Sequence, residues 1–219
     1  MPVEVPFLAD CDIEKAAQLL IDDFARVKTP IGAPPVPIER LVRYLGLSQE
    51  IDDLYSLLNL ERTSNFDLLG ALCLNSRRVF VHNEIDPALY PWREGRYNFT
   101  LAHEVGHWVL HRSHLPDNAA QLSFLDAIPK PAIICRNGNR GHRIEVQANK
   151  FASGVLMPRM LVFEAWQRHF NGGSNPSAAQ RDASIKILAK QFQCSIQAMR
   201  IRLDTLGLLD GSVPPDLEF

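Results

Sequence analysis

This chain is organised around the stretch Thr100-Leu-Ala-His-Glu-Val-Gly-His-Trp-Val-Leu110, which contains the pattern His-Glu-x-x-His. On an α-helix residues i and i+4 lie one above the other, so His103 and His107 can both direct an imidazole nitrogen at one ion. Glu104 lies about 100° further round the helix, within reach of a water on that ion but badly placed as a ligand. The pattern therefore predicts a zinc site with Glu104 as the general base.

The residues around the motif favour a buried helix. Its apolar face is formed by Leu101, Ala102, Val105, Trp108 and Val109. Asn98 or Thr100 is the candidate N-cap, and Pro116 predicts that the helix ends near residues 111–114.

Composition limits the classes of protein to consider. The 219 residues are 46% apolar, enough for one domain or a domain with a small appendage, and the formal charge is −2. That charge argues against a protein that coats nucleic acid or an anionic membrane. No signal peptide or long apolar run is found, and the four cysteines form no C-x-x-C pair. We therefore expect a cytoplasmic protein that does not enter a membrane.

Two amphipathic scaffold helices are predicted before the motif. The first starts behind Asp12 and repeats apolar residues at helical spacing as far as Val27. Four prolines between Pro30 and Pro37 then stop it. The second starts at Pro37 and ends at Gly46.

Two short apolar runs, Leu68–Leu74 and Val79–His82, predict a β-hairpin just before the motif. In a metallopeptidase, a sheet edge beside the active helix can hydrogen-bond an extended substrate chain. Residues 84–98 are predicted to be a loop. Residues 115–143 form a long connection, which is either a lid or substrate-binding loop or surface padding.

The third zinc ligand is not on the motif helix. Catalytic zinc usually has three protein ligands and an open position for water. His111 lies about 12 Å along the helix from His103, too far to share one ion with it. The metzincin pattern fails as well, because this chain has Leu110 and Ser113 where that pattern needs glycine and histidine.

The remaining pattern takes a glutamate from a second helix. Residues 144–153 have helical spacing and place Glu145, Ala148, Asn149 and Ala152 on one face. The small alanines allow that face to approach another helix closely. Glu145 would bind the metal, and Asn149 could accept a hydrogen bond from the other nitrogen of a zinc-bound histidine.

Three segments together carry a family resemblance: Phe99-Thr-Leu-Ala-His-Glu-Val-Gly-His107, Glu145-x-x-Ala-Asn-x-Phe-Ala152 and Leu156-Met-Pro158. They resemble the ImmA/IrrE family of bacterial metallo-endopeptidases, strongly in the middle of the chain and more loosely at its ends. The resemblance implies zinc on His103, His107 and Glu145, with Glu104 as the catalytic base. It also implies a protein substrate, typically a helix-turn-helix repressor whose cleavage relieves repression of stress genes or mobile elements. The sequence departs from such families at Asn149, where aspartate is also common.

The C-terminal part predicts a helix-turn-helix-like unit after a linker at 171–176, with Ser195 as N-cap of its second helix. Residues 181–206 carry five basic and two acidic side chains, and an acidic tail follows. Direct DNA binding is therefore not expected, and we expect Gln197, Arg200 and Arg202 to face outward and contact a protein. A plain helical hairpin packed on the peptidase is the alternative.

The predicted fold class is α+β: a zincin-like metallopeptidase domain with a small sheet at 1–170, the C-terminal unit at 177–210 and a tail at 211–219. The predicted function is zinc-dependent cleavage of a specific intracellular protein, with Glu104 moving a proton from water to the leaving amine. The alternative is a DNA-binding regulator whose metal is structural or sensory. Candidates for stabilising the oxyanion are Tyr97, His114 and His142.

Overall fold

The helix that carries the His-Glu-x-x-His motif packs against a small sheet and against further helices. The structure is a computed structural model and describes residues 5–59, 61, 68–114, 120–123, 140–170 and 177–209. The α-helices of this part of the chain are α1 Asp10–Val27, α2 Ile38–Tyr44, α3 Leu54–Leu57, α4 Glu94–Gly106, α5 Arg140–Leu156, α6 Arg159–Phe170, α7 Ala178–Gln191 and α8 Ile196–Thr205. The strands are β1 Ser48–Asp52, β2 Gly70–Cys73, β3 Arg78–His82 and β4 Ala120–Ser123.

The sheet has the strand order β1-β3-β2-β4 over the described ranges. The predicted hairpin is confirmed, since β2 pairs antiparallel with β3. β1 pairs parallel with the other side of β3, and β4 pairs antiparallel with β2. β2 is therefore an inner strand, and the edge nearest to it is β4, from the long connection after the motif. The mixed sheet and the many helices confirm a helix-rich α+β fold.

The motif helix begins earlier than predicted. α4 starts at Glu94, preceded by a 3-10 turn at Pro91–Arg93, so the predictions of a loop up to residue 98 and of a cap at Asn98 or Thr100 were wrong. Pro91 and Gly95 suggested a loop. Proline, however, is well tolerated at the start of a helix, and Gly95 is a glycine because the backbone of another segment packs against it. A Cβ on Gly95 would lie 3.2 Å from the backbone of Cys194, so this turn abuts the connection between α7 and α8.

The end of the motif helix falls where the sequence predicted it. α4 passes at Gly106 into a π-helical turn, His107–His111, which is followed by a 3-10 turn at Arg112–His114. π-helical turns are rare and occur frequently at functional sites. The second histidine of the motif therefore begins a turn with unusual backbone geometry.

α7 and α8 share the main hydrophobic core with the rest of the protein. Leu188 of α7 and Met199 and Leu203 of α8 belong to the same buried cluster as Phe24 of α1 and Phe151 of α5. Both helices start at a capping serine, as predicted for the second: Ser177 accepts from the Gln180 amide and Ser195 from the Ala198 amide.

Arg202 does not face outward, which corrects the prediction for α8. Its side chain is 3% exposed, and its guanidinium donates to the Met157 carbonyl at 2.9 Å and to the Glu14 carboxylate at 2.8 Å. The partner carboxylate lies on α1, far away in sequence, so helical periodicity alone could not predict it. Arg200 is exposed and pairs with Asp182 at 2.8 Å.

None of the helices in the described ranges combines the length and apolar composition needed to cross a bilayer. The linker at 171–176, the tail at 211–219 and most of the connection at 115–143 lie outside the described residues, so the predictions about them stay predictions.

Candidate metal centre

α4 and α5 cross with their backbones very close together, which brings the histidines of the motif near Glu145 of α5. A Cβ on Gly106 would lie 3.1 Å from the Ala148 carbonyl oxygen and 3.2 Å from its Cα. Glycine on one helix and alanine on the other thus remove the side chains that would separate the backbones. The close approach predicted from Ala148 is confirmed.

At this crossing three potential ligands converge, hereafter called the His–His–Glu cluster: His103 and His107 of the motif and Glu145 of α5. The Nε2 atoms of the two imidazoles are 2.9 Å apart. The carboxylate oxygens of Glu145 lie 3.0 Å from Nε2 of His103 and 3.5 Å from Nε2 of His107. The two histidines are fully buried, whereas 23% of the Glu145 side chain is exposed. The cluster thus opens to solvent on the Glu145 side.

His103 is oriented by Asn149, one turn after Glu145 on α5. Nδ1 of His103 and Oδ1 of Asn149 are 2.8 Å apart. The amide oxygen only accepts, so Nδ1 carries a proton and Nε2 is the nitrogen that faces the cluster. α5 therefore supplies both the third ligand candidate and the group that orients the first.

His107 is oriented by a different route. Its Nδ1 lies 3.1 Å from Nδ1 of His111, one turn further along the chain. Nε2 of His111 lies 2.9 Å from Oε1 of Gln147 on α5. Sequence reasoning assigned no role to His111 or Gln147. The repeat of histidine at 103, 107 and 111 was the signal that could have indicated this arrangement.

The electrostatics of the site keep the Glu145 carboxylate ionised and favour the neutral forms of His107 and His111. Burial raises the pKa of Glu145, but the adjacent imidazoles of His103 and His107 outweigh this effect and lower the pKa to about 2. Burial lowers the pKa of His107, and it lowers the pKa of His111 to about 4. Neutral imidazoles and an ionised carboxylate are the forms in which these groups bind metal.

This donor set fits a zinc ion. Two imidazole nitrogens and one carboxylate oxygen all lie within 4.8 Å of one another. Two histidines and one glutamate are the ligands of one group of catalytic zinc sites, in which the fourth position is left for water or substrate. His111 is not part of the cluster, as expected from its distance along the helix.

Glu104 lies beside the sheet. It is fully buried, and an added Cβ on Gly70 of β2 would lie 2.7 Å from its Oε1 atom. The same Cβ would lie 2.7 Å from Cγ2 of Thr100. The absence of a side chain at Gly70 therefore leaves the space that the Glu104 carboxylate occupies.

The structure describes the side chains of two of the three candidates for an oxyanion-stabilising group and supports neither. The Tyr97 hydroxyl donates to Glu39 at 2.8 Å and accepts from Gln49 at 3.0 Å, so it is engaged with α2 and β1. Burial, followed by the bond to the Glu39 carboxylate, raises its pKa. His114 is exposed in the 3-10 turn, and the side chain of His142 lies outside the described residues.

Comparison with known proteins identifies the class. A family model described as Peptidase_M78, IrrE N-terminal-like domain, matches residues 92–204, which include both the motif and Glu145. The chain therefore belongs to the Peptidase_M78 family, and a metallopeptidase family implies a bound metal. The resemblance seen in the sequence is confirmed.

One solved structure similar to this chain is a Mycobacterium tuberculosis transcriptional regulator, with 22% sequence identity and a TM-score of 0.49. The match covers 90% of this chain and 47% of that one, so this chain spans about half the length of the regulator. No curated protein matches the chain.

Proposed function

We propose that this protein is a zinc-dependent endopeptidase of zincin type that cleaves a specific protein, with a helix-turn-helix repressor as the expected substrate. The observation that carries the proposal is the convergence of His103, His107 and Glu145, with Glu104 buried one residue after the first histidine. Membership of a peptidase family supports the reaction class. Relief of repression would be the outcome of the cleavage.

The residues of the chain divide the work as follows. His103, His107 and Glu145 would hold the zinc ion, which as a Lewis acid lowers the pKa of water and polarises the scissile carbonyl. Glu104 takes a proton from the attacking water and later gives a proton to the leaving amine. Its buried position against Gly70 restricts its side chain, so the carboxylate is held in place before substrate binds.

The alternative, a DNA-binding regulator with a structural or sensory metal, has less support. A structural zinc site normally has four protein ligands, whereas the group found among the described residues has three. The basic side chains expected to face outward on α8 are also engaged, since Arg202 is buried against Glu14 and Arg200 pairs with Asp182. Both observations favour the peptidase.

A groove beside α8 supports selection of a protein substrate. Its volume is about 740 Å³, and it lies between α8, α1, α5 and the start of α4. Gln197 and Ile201 line it on the α8 side, and 56% of Ile201 is exposed. An open zinc cleft alone discriminates little between extended peptides, so contacts away from the scissile bond are expected to give specificity.

The decisive test compares the wild-type protein with Glu104→Gln on a peptide library derived from a bacterial proteome, with cleavage read by mass spectrometry. The amide cannot take the proton from water, so Glu104→Gln should lose cleavage by a factor of about 100 or more while it retains zinc and fold. Zinc content and thermal unfolding measured on the same samples provide the control.

Cleavage by Glu104→Gln at the wild-type rate would contradict the mechanism. Zinc binding by the wild type, with no cleavage of either the library or a co-expressed repressor, would favour the regulator alternative instead.

A further inference from the structure

We propose that His111, held by Gln147, is the positioning residue of His107, and that this pair sets how tightly the His–His–Glu cluster binds metal. The inference rests on the proposed metal binding by that cluster. It assigns a function to two buried polar residues that lie outside the His–His–Glu cluster.

Hydrogen bonds connect the Pro6 carbonyl through Gln147 and His111 to His107, and the Pro6 carbonyl fixes the direction of each of them. The Pro6 carbonyl only accepts, and Nε2 of Gln147 donates to it at 2.9 Å. This bond orients the Gln147 amide with its oxygen towards His111, 2.9 Å from Nε2. His111 must therefore donate from Nε2, which leaves Nδ1 of its neutral ring as an acceptor.

The same logic continues to His107. With Nδ1 of His111 accepting across 3.1 Å, Nδ1 of His107 carries the proton. Nε2 of His107 is then unprotonated and presents its lone pair to the cluster, 2.9 Å from Nε2 of His103. Two side chains, Gln147 and His111, thus transmit the polarity of the Pro6 carbonyl to the tautomer of His107.

The hydrogen bonds of His107, His111 and Gln147 are necessary because all three side chains are buried. His107 is fully buried, His111 is 1% exposed and Gln147 is 3% exposed, so bulk water has little access to replace a missing partner. A buried imidazole N–H without an acceptor is costly, and its ring is free to adopt the other tautomer. The hydrogen-bond partner on the far nitrogen of a metal-bound histidine fixes its orientation and raises its basicity.

Two routes thus reach the two histidines. Asn149 orients His103 directly from α5, whereas Gln147, also on α5, reaches His107 only through His111. The π-helical turn contains both His107 and His111, so the unusual backbone lies where the series crosses from α5 to the motif. His111 and Gln147 therefore match Asn149 in role.

The experiment uses the full-length protein and measures zinc affinity by competition with a chromophoric chelator, together with the visible absorption of the Co²⁺-substituted protein. His111→Phe removes both ring nitrogens and should weaken zinc binding by about 10- to 100-fold and shift the Co²⁺ spectrum. His111→Asn keeps an acceptor near the position of Nδ1, so its zinc affinity should return to within about threefold of the wild type.

Gln147→Met leaves His111 in place but removes its oxygen acceptor, and it should weaken zinc binding by about tenfold. His82→Phe is the matched control, because His82 is a histidine 2% exposed on β3, outside the cluster. Its zinc affinity and Co²⁺ spectrum should remain those of the wild type. Thermal unfolding of the metal-free proteins identifies any variant that fails to fold.

The inference is overturned if folded His111→Phe binds zinc as tightly as the wild type, or if His111→Asn is as weak as His111→Phe. If His111→Phe does not fold, wild-type affinity in Gln147→Met overturns it. Failure of the wild-type protein itself to bind zinc would instead refute the proposed function, so the two failures are distinguishable.

Discussion

Glu145 is the member of the His–His–Glu cluster that α5 contributes, and its carboxylate lies 3.0 Å and 3.5 Å from the two imidazoles. Replacing it with alanine leaves two ligand candidates, so zinc affinity in Glu145→Ala should fall at least about tenfold. Metal analysis after gel filtration measures this loss. Glu164→Ala, which changes a half-exposed glutamate of α6 outside the cluster, is the control. Unchanged zinc content in Glu145→Ala would remove Glu145 from the ligand set.

Gly70 tests the placement of Glu104 without touching a ligand candidate. A methyl group there would lie 2.7 Å from Oε1 of Glu104 and 2.7 Å from Cγ2 of Thr100, and both residues are fully buried, so side chains must move and some stability is lost. The displaced carboxylate should also lower the rate of peptide cleavage by about tenfold or more in Gly70→Ala. Zinc affinity should remain that of the wild type.

A rate unchanged in Gly70→Ala would show that the position of the Glu104 carboxylate against β2 is unimportant for cleavage. Ala71→Gly, at the neighbouring position of β2, is the control for a change in the strand itself.

Sequence alone predicted those members of the candidate site whose spacing is local. His103, Glu104 and His107 follow from one helical turn, and Glu145 with Asn149 follows from another, together with the need for a third ligand. The link between Gln147 and His111 joins residues 36 positions apart through a buried contact, which neither spacing nor composition reveals. The prediction that Arg202 faces solvent failed in a similar way, because its acidic partner Glu14 lies far away in sequence on α1.

The exposed face of α8 is the element on which substrate selection can be tested. Ile201 lines the groove beside α8, and Ile187 on α7 is 45% exposed but does not line it. Ile201→Ser should reduce cleavage of a folded protein substrate by about tenfold, because the variant loses the apolar contact that the Ile201 side chain would make with that substrate. Cleavage of a short peptide containing the same site should be unaffected.

Ile187→Ser, the matched control, should change neither rate. Equal losses on protein and peptide in Ile201→Ser would show that α8 acts on catalysis or stability and does not select the substrate.

The elements that sequence predicted well are those with local signals. The β2–β3 hairpin has apolar runs on both sides of a polar turn, α2 ends before Gly46 with its positive φ of 72°, and α8 starts at Ser195. β1 was missed because its sequence, Ser-Gln-Glu-Ile-Asp, has no buried residue and pairs parallel with a strand much later in the chain. Such pairing has no local sequence signature.

The ends of the described chain are joined by Arg202 and Glu14. Arg202→Met removes this ion pair and the bond to the Met157 carbonyl, so it should lower the free energy of unfolding by about 2 kcal/mol. The value lies below that for a fully buried pair, because 31% of Glu14 is exposed. Chemical denaturation measures it.

Arg200→Met is the control for this pair, since Arg200 and Asp182 are both about half exposed. Its effect should stay below about 0.5 kcal/mol. Equal effects of the two variants would contradict a special contribution from Arg202.

The division of the chain into a peptidase domain and a C-terminal unit stays a prediction. Leu188 and Met199, in the proposed unit, belong to the same buried cluster as Leu101 of α4. Removing residues 177–219 would uncover that cluster, so substitutions on the surface of α8 test its function more safely than truncation. The family match also runs from the motif into α8.

The bond between Arg202 and Glu14 spans 188 positions, and this has a consequence for biosynthesis. α1 leaves the ribosome long before its arginine partner is translated, so until then the Glu14 carboxylate has to be solvated. α5 is synthesised earlier than α8 and packs on α1, which allows the motif and Glu145 to meet first. The nascent protein can therefore bring His103, His107 and Glu145 together before the contact between Arg202 and Glu14 forms.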